Sequence, residues 1–94
     1  MIEVHAVFVP TAFSPNGDGV NETFRIYGSG IRSYTLNVYD RWGEAVFAGS
    51  GAAPAWDGTL NGRILGKDNY IFVAVINYWN GDRERRIGDI TLLR

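Results

Sequence analysis

Tyr70-Ile-Phe-Val-Ala-Val-Ile-Asn-Tyr-Trp-Asn-Gly-Asp-Arg-Glu-Arg-Arg-Ile-Gly-Asp-Ile-Thr-Leu-Leu93 is the stretch on which the reading of the fold turns. From Tyr70 to Ile76 the run is apolar, as expected of a central strand covered on both faces or at a subunit contact. Asn80-Gly81 supplies residues suited to φ > 0 and predicts a type I′ turn. Asp82 to Leu93 then returns as the last strand, alternating Ile87, Asp89, Ile90, Thr91 and Leu92 with a kink expected at Gly88. The pair reads as a hairpin with Tyr70 to Trp79 as its central strand.

Working back from this hairpin, Gly66-Lys-Asp-Asn69 leads into it, Asn61-Gly62 is a second tight-turn dipeptide, and Trp56-Asp-Gly-Thr59 is a compact group. Gly49-Ser-Gly-Ala-Ala-Pro54 has no periodicity and reads as a flexible loop. Ala45 to Ala48 reads as a short strand, entered through the turn Arg41-Trp-Gly-Glu44. Ser33 to Asp40 alternates cleanly, with Tyr34, Leu36 and Val38 toward a core and Thr35, Asn37 and Tyr39 away from it. Thr23 to Tyr27 places Phe24 and Ile26 on one side, Arg25 and Tyr27 on the other. Ile2 to Val9 reads as the first strand and is ended by Pro10.

Helical periodicity is absent, and Val, Ile, Thr, Tyr, Phe and Trp fill runs separated by turn signals at roughly ten-residue intervals. The class is therefore all-β, and about seven antiparallel strands joined by hairpin-length turns predict an immunoglobulin-like β-sandwich. With 94 residues the chain holds one domain, 1–94, and a single modest core. There is no cysteine, so neither disulfides nor thiolate metal sites are available. A net charge of -1 gives no electrostatic case for nucleic acid or an anionic membrane as partner. No apolar run approaches the roughly 18 residues a membrane helix requires. No signal peptide is visible, because Met1-Ile-Glu-Val lacks a basic leading region.

The loop Pro10-Thr-Ala-Phe-Ser-Pro-Asn-Gly-Asp-Gly-Val-Asn-Glu-Thr-Phe24 has two readings. Ser14, Asn16, Asp18 and Gly19 fall at the first, third, fifth and sixth places of a calcium-loop pattern, with Asn21 and Glu22 as further oxygen donors. Arg25 occupies the twelfth place, where a bidentate Glu belongs, so a weak calcium site with Kd on the order of 10⁻⁴ to 10⁻³ M is the metal reading. The other reading is a pair of tight turns in which Asn and Asp side chains satisfy the backbone and no ion or cofactor is needed. A catalytic reading fails on inventory: His5 is the single histidine, it sits on the first strand, and no thiol is present. The expectation is a non-enzyme.

Three tryptophans remain to be placed. Trp42, Trp56 and Trp79 form a sugar-stacking platform if exposed together, and plug the ends of the core if not. Arg41 beside Trp42, with Asp40 and Asp57 nearby in sequence, suggests a guanidinium stacked on an indole and held by a carboxylate. Arg83-Glu-Arg-Arg86 reads as a solvated strand edge whose charges discourage aggregation, and together with Arg94 as a surface for an acidic partner.

Taken in order, Phe13-Ser-Pro-Asn-Gly-Asp-Gly-Val-Asn-Glu-Thr-Phe24, Val38-Tyr-Asp-Arg-Trp-Gly-Glu44, Trp56-Asp-Gly-Thr-Leu-Asn-Gly62, Asn69-Tyr-Ile-Phe-Val73 and Gly88-Asp-Ile-Thr-Leu-Leu-Arg94 resemble the gliding-motility-associated C-terminal domain. That family is the type B sorting domain of the type IX secretion system in Bacteroidetes, and the resemblance runs from Phe8 to Arg94. It differs from the usual pattern at Asp40, Glu22 and Lys67-Asp68-Asn69. What the resemblance implies is a non-catalytic immunoglobulin-like address at the end of a larger secreted protein, directing a covalently fused N-terminal passenger through the periplasm to the cell surface or medium. The implied partners are the translocon and PorP/SprF-like outer-membrane accessory proteins. Arg41, Trp42, Gly43, Trp56, Asp57, Gly58 and Arg94, with the last hairpin, are the residues expected at the recognised surface. The alternative is an extracellular calcium- or carbohydrate-binding adhesion module.

Overall fold

A computed structural model describes residues 7–15, 17 and 22–93. Among these residues the chain is all-β, with nine strands: β1 Val7–Phe8, β2 Ala12–Phe13, β3 Tyr27–Gly28, β4 Ile31–Tyr39, β5 Ala45–Gly51, β6 Thr59–Leu60, β7 Arg63–Ile64, β8 Asp68–Tyr78 and β9 Arg83–Leu92. One layer is a five-stranded sheet in the order β2-β9-β8-β4-β5. The other is assembled from short pieces: the β1-β3 pair, an isolated bridge between Phe24 and Trp56, and the β6-β7 hairpin. The arrangement agrees with an immunoglobulin-like sandwich.

The strand β8 lies at the centre of the large sheet, as its apolar run requires. Its alternation is nevertheless real. Tyr70, Phe72, Ala74, Ile76 and Tyr78 are buried, whereas Ile71, Val73 and Val75 lie on an outer face that no second layer covers among the described residues. On β4, Tyr34, Leu36 and Val38 point into the core as their spacing predicts. The opposite layer contributes Phe24, Ile26 and Trp56, all essentially inaccessible. Phe24 meets Phe72 at 5.3 Å between ring centroids, and Trp56 stands edge-on to Tyr70 at 5.0 Å. These are tilted geometries that aromatic quadrupoles favour, and they knit the two layers together.

One hydroxyl ties the layers as well. Tyr34 Oη accepts the Ile26 N–H at 3.2 Å and donates to the Pro54 carbonyl at 2.6 Å. Burial pushes this phenol above its ordinary pKa, so it remains a donor. At the far end of the core Tyr78 donates to the Glu84 carboxylate at 2.6 Å, and burial together with that bond raises it to about 12.

The structure departs from the sequence expectations in five places. The first strand changes sheets at Pro10: β1 pairs antiparallel with β3, while β2 pairs parallel with β9 through Ala12 and Phe13. A proline cannot donate to a ladder, and the break it makes lets the chain cross between layers. The expected strand count of about seven, all antiparallel, is thereby exceeded and includes one parallel pair; residues 1–6, with His5, lie outside the described residues. Second, β5 runs on to Gly51 through the expected loop, because Thr35 and Tyr34 of β4 supply ladder partners for Ser50 and Gly51. Third, the Asn80-Gly81 hairpin forms, but only Gly81 has positive φ. Gly81 N–H reaches the Tyr78 carbonyl at 3.0 Å and Tyr78 N–H the Asp82 carbonyl at 2.9 Å, a type I turn closed by a glycine bulge. Asn80 accepts the Asp82 N–H with its side chain, which holds it in the right-handed region. Fourth, the strand expected over Thr23 to Tyr27 is reduced to an isolated bridge at Phe24 and to β3 at Tyr27–Gly28, whereas the tight turn expected at Asn61-Gly62 forms, with φ of 53° and 80°, and joins β6 to β7. Fifth, β9 continues in register past Gly88, with no break in its pairing to β8. A Cβ at Gly88 would stand 2.8 Å from Phe72 Cε1, so the glycine makes room for a ring lying on the strand.

Candidate functional site

The turn between β4 and β5 is the most organised exposed feature. Asp40 Oδ1 accepts both the Trp42 N–H and the Glu44 N–H at 2.9 Å, and Gly43 N–H closes onto the Asp40 carbonyl at 3.0 Å. Gly43 takes φ 81°, as a three-residue bulged turn demands. This scaffold presents Trp42 with 81% of its surface exposed. The Arg41 guanidinium lies 5.3 Å from the Trp42 ring centroid, and its Nε stands 3.5 Å from Asp68 at the start of β8. The stacked cation expected from sequence is present, and the carboxylate that holds it is Asp68, not Asp40 or Asp57. Asp40 is occupied with the backbone of its own turn.

A second arginine–tryptophan pair stands at the other end of the sheet. Trp79, in the β8-β9 turn, is 72% exposed, donates its backbone N–H to Gly30, and has Arg32 over its ring at 5.6 Å. Arg32 and Trp79 are remote in sequence, and nothing in the chain's local pattern links them. The full length of β4 separates the two turns, about 30 Å at strand rise. Trp42 and Trp79 therefore share no platform, and the third tryptophan is fully buried. The three-indole sugar platform is ruled out by this placement, and the core-plug reading holds for Trp56 only.

Trp56, expected at a recognised surface, has its indole in the core instead, where the ring N–H reaches the Thr59 carbonyl at 3.1 Å. Its backbone exchanges hydrogen bonds with Phe24 at 2.8 and 2.9 Å. Asp57 is exposed and accepts from both the backbone and hydroxyl of Thr59 at 3.0 and 2.6 Å. Gly58 is buried with φ 83°, and its carbonyl receives the Leu65 N–H. The Trp-Asp-Gly group thus anchors the small layer, and only Asp57 faces solvent. Arg94 lies outside the described residues.

The calcium reading falls mostly on Asn16, Asp18, Gly19 and Asn21, which also lie outside the described residues. Ser14 is half-buried, and Glu22 accepts the Gly17 N–H at 3.0 Å with each carboxylate oxygen. Gly17 has φ 85°. In this part of the loop the Glu22 carboxylate caps the left-handed Gly17, a role the turn reading gave to Asn16 and Asp18, both outside the described residues.

Known proteins place this architecture. The model of the CHU_C type IX secretion signal domain matches residues 7–92. The chain belongs to the type IX secretion signal domain family. Its match begins at β1 and ends with β9, so the family's unit and the sandwich coincide. Among solved structures, this secretion signal domain superposes on the crystal structure of CopC from Methylosinus trichosporium OB3b with a TM-score of 0.59 at 11% identity, covering 93% of this chain and 88% of that one. At that identity the likeness speaks for the fold alone. Comparison with curated proteins returned no match.

Proposed function

We propose that this secretion signal domain is the non-catalytic address of a larger protein: it directs a passenger fused to its N-terminal side across the outer membrane, to the cell surface or medium. Membership in the family carries the reading at its coarse level, since a type IX secretion signal implies export and engagement with that secretion system. The finer reading is that the machinery reads the folded surface. The observation that supports it is the Arg41-Trp42-Gly43 turn, whose backbone is fixed by bonds to Asp40, whose indole is exposed, and whose arginine lies over that indole and beside Asp68. Tryptophan and arginine are the side chains that most often dominate recognition energetics, and a pre-ordered pair loses little entropy on docking. Outer-membrane accessory proteins of the PorP/SprF-like kind, upstream of or beside the translocon, are the proposed readers.

The test is a reporter sent to the periplasm by its own leader and carrying residues 2–94 at its C-terminus. In a bacterium with a working type IX system the reporter is expected outside the cell, and in an isogenic strain lacking the translocon it is expected to stay in the periplasm. Export in both strains, or in neither, would sink the assignment. Within that assay the double substitution Arg41→Ala and Trp42→Ala removes two exposed side chains, so the melting temperature should hardly move while export falls several-fold. Unchanged export would place the recognised surface elsewhere on the domain.

A further inference from the structure

We infer that the free edge of β9 is a self-complementary docking strand that joins two copies of this chain into one continuous sheet. The parallel strand β2 covers β9 only at Thr91 and Leu92, and among the described residues nothing pairs with its edge from Arg83 to Asp89. The direction of the open groups follows from the bonds that are made. Thr91 and Leu93 donate to Thr11 and Phe13 on the β2 side, so the odd-numbered residues turn their N–H and C=O away from β8. Arg83, Arg85, Ile87 and Asp89 therefore present an unfilled ladder, and their side chains stand on the exposed outer face of the sheet. Unpaired ladder groups of this kind are templates for another strand.

The charges select the occupant. An antiparallel two-fold pairing centred on Ile87 sets Arg85 opposite Asp89 of the second copy, and Asp89 opposite its Arg85. Neither side chain has an ion-pair partner among the described residues. Ile87, 61% exposed, meets its own counterpart on the axis and extends the apolar strip formed by Ile71, Val73 and Val75. Arg86 faces Gly88, which has no side chain to oppose it. One residue lower, Asp89 faces Arg83 in place of Arg85, but Arg86 then meets Arg86 on the axis and Arg85 faces Ile87, so Arg85 loses its carboxylate; at Arg85 the arginines themselves coincide. β2 stops the pairing beyond Asp89. The joint consists of five residues per chain and about six ladder hydrogen bonds. Such a contact is far smaller than a standard stable interface, so a Kd on the order of 10⁻⁵ to 10⁻³ M is expected.

Sedimentation velocity of the chain from about 10 μM to 1 mM, with Arg85→Asp and Asp89→Arg variants, tests this proposal. Wild type should dimerise across that range. Each variant alone sets like charges against each other at both ends and should associate at least about tenfold more weakly. An equimolar mixture of the two should dimerise again, because both carboxylates of the first variant then face arginines of the second across the joint. Both substitutions are on exposed side chains, and unchanged melting curves will show that the variants fold. A wild type that stays monomeric at 1 mM, variants that associate as well as wild type, or a mixture that does not associate would each overturn the pairing. Monomeric wild type that captures an acidic poly-glutamate peptide through Arg85 would overturn it too, and assign the edge to a foreign strand.

Discussion

At the scale of single residues, Tyr34 shows how one hydroxyl substitutes for ladder bonds that the small layer lacks. Ile26 N–H and the Pro54 carbonyl both end on it, from segments that belong to no regular strand. Tyr34→Phe keeps the ring and strands both backbone groups in a place where water has poor access, at a cost of about 1–3 kcal/mol. A chemical denaturation series should show that loss with an unchanged m-value; a loss under about 0.5 kcal/mol would mean the two groups find other partners. The inward direction of Tyr34 is legible from its alternation with Leu36 and Val38. Its hydroxyl partners are not, because they lie 8 and 20 residues away across the sandwich and only packing brings them there. The tryptophans divide in the same way. Asp40 and Gly43 announce a bulged type I turn, yet nothing local distinguishes the exposed Trp42 from the buried Trp56. Their fates are set by which segment bridges to Phe24.

At the scale of elements, the glycines separate two physical demands. Gly43 has open space around its Cβ position but φ 81°, whereas Gly88 has ordinary φ and a Phe72 carbon 2.8 Å away. Gly43→Ala should cost about 1 kcal/mol through backbone strain in the β4-β5 turn. Gly88→Ala should cost about 1–3 kcal/mol by pressing on a ring already packed against Phe24. Gly66→Ala, with neither constraint, is the control and should melt with wild type. Equal melting temperatures for all three would contradict the packing described for β8 and β9. The central hairpin is legible because a long apolar run and an Asn-Gly dipeptide are strong signals. The run of β5 through Gly49-Ser-Gly51 is not, since residues of poor strand propensity are held there by β4, not by their own preference. The parallel β2-β9 pair is equally hidden, because Pro10 marks where a strand stops and says nothing of where the chain goes next.

At the scale of the whole molecule, the sandwich presents two exposed arginine–tryptophan turns at opposite ends of its large sheet. The large sheet holds Arg41–Trp42 at one end, in a turn closed by its own local bonds to Asp40, and Arg32–Trp79 at the other, where the Trp79 N–H is tied across the fold to the Gly30 carbonyl. The address proposed above depends on the fold. It differs in principle from a linear tail that machinery could read unfolded. The order of motifs along the chain resembles a secretion signal domain, and the family match over residues 7–92 agrees with it. The recognised residues are less legible, because exposure is a property of the assembled layers. The claim that the folded surface is the signal is tested most directly by measuring the exported fraction of one periplasmic reporter carrying three C-terminal extensions: residues 2–94, residues 83–94 alone, and residues 2–94 with the core substitution Trp56→Ala. The account predicts export for the first, none for the tail alone, and export for the third only in proportion to its folded fraction. Export of the tail fusion at the level of the intact domain would contradict it.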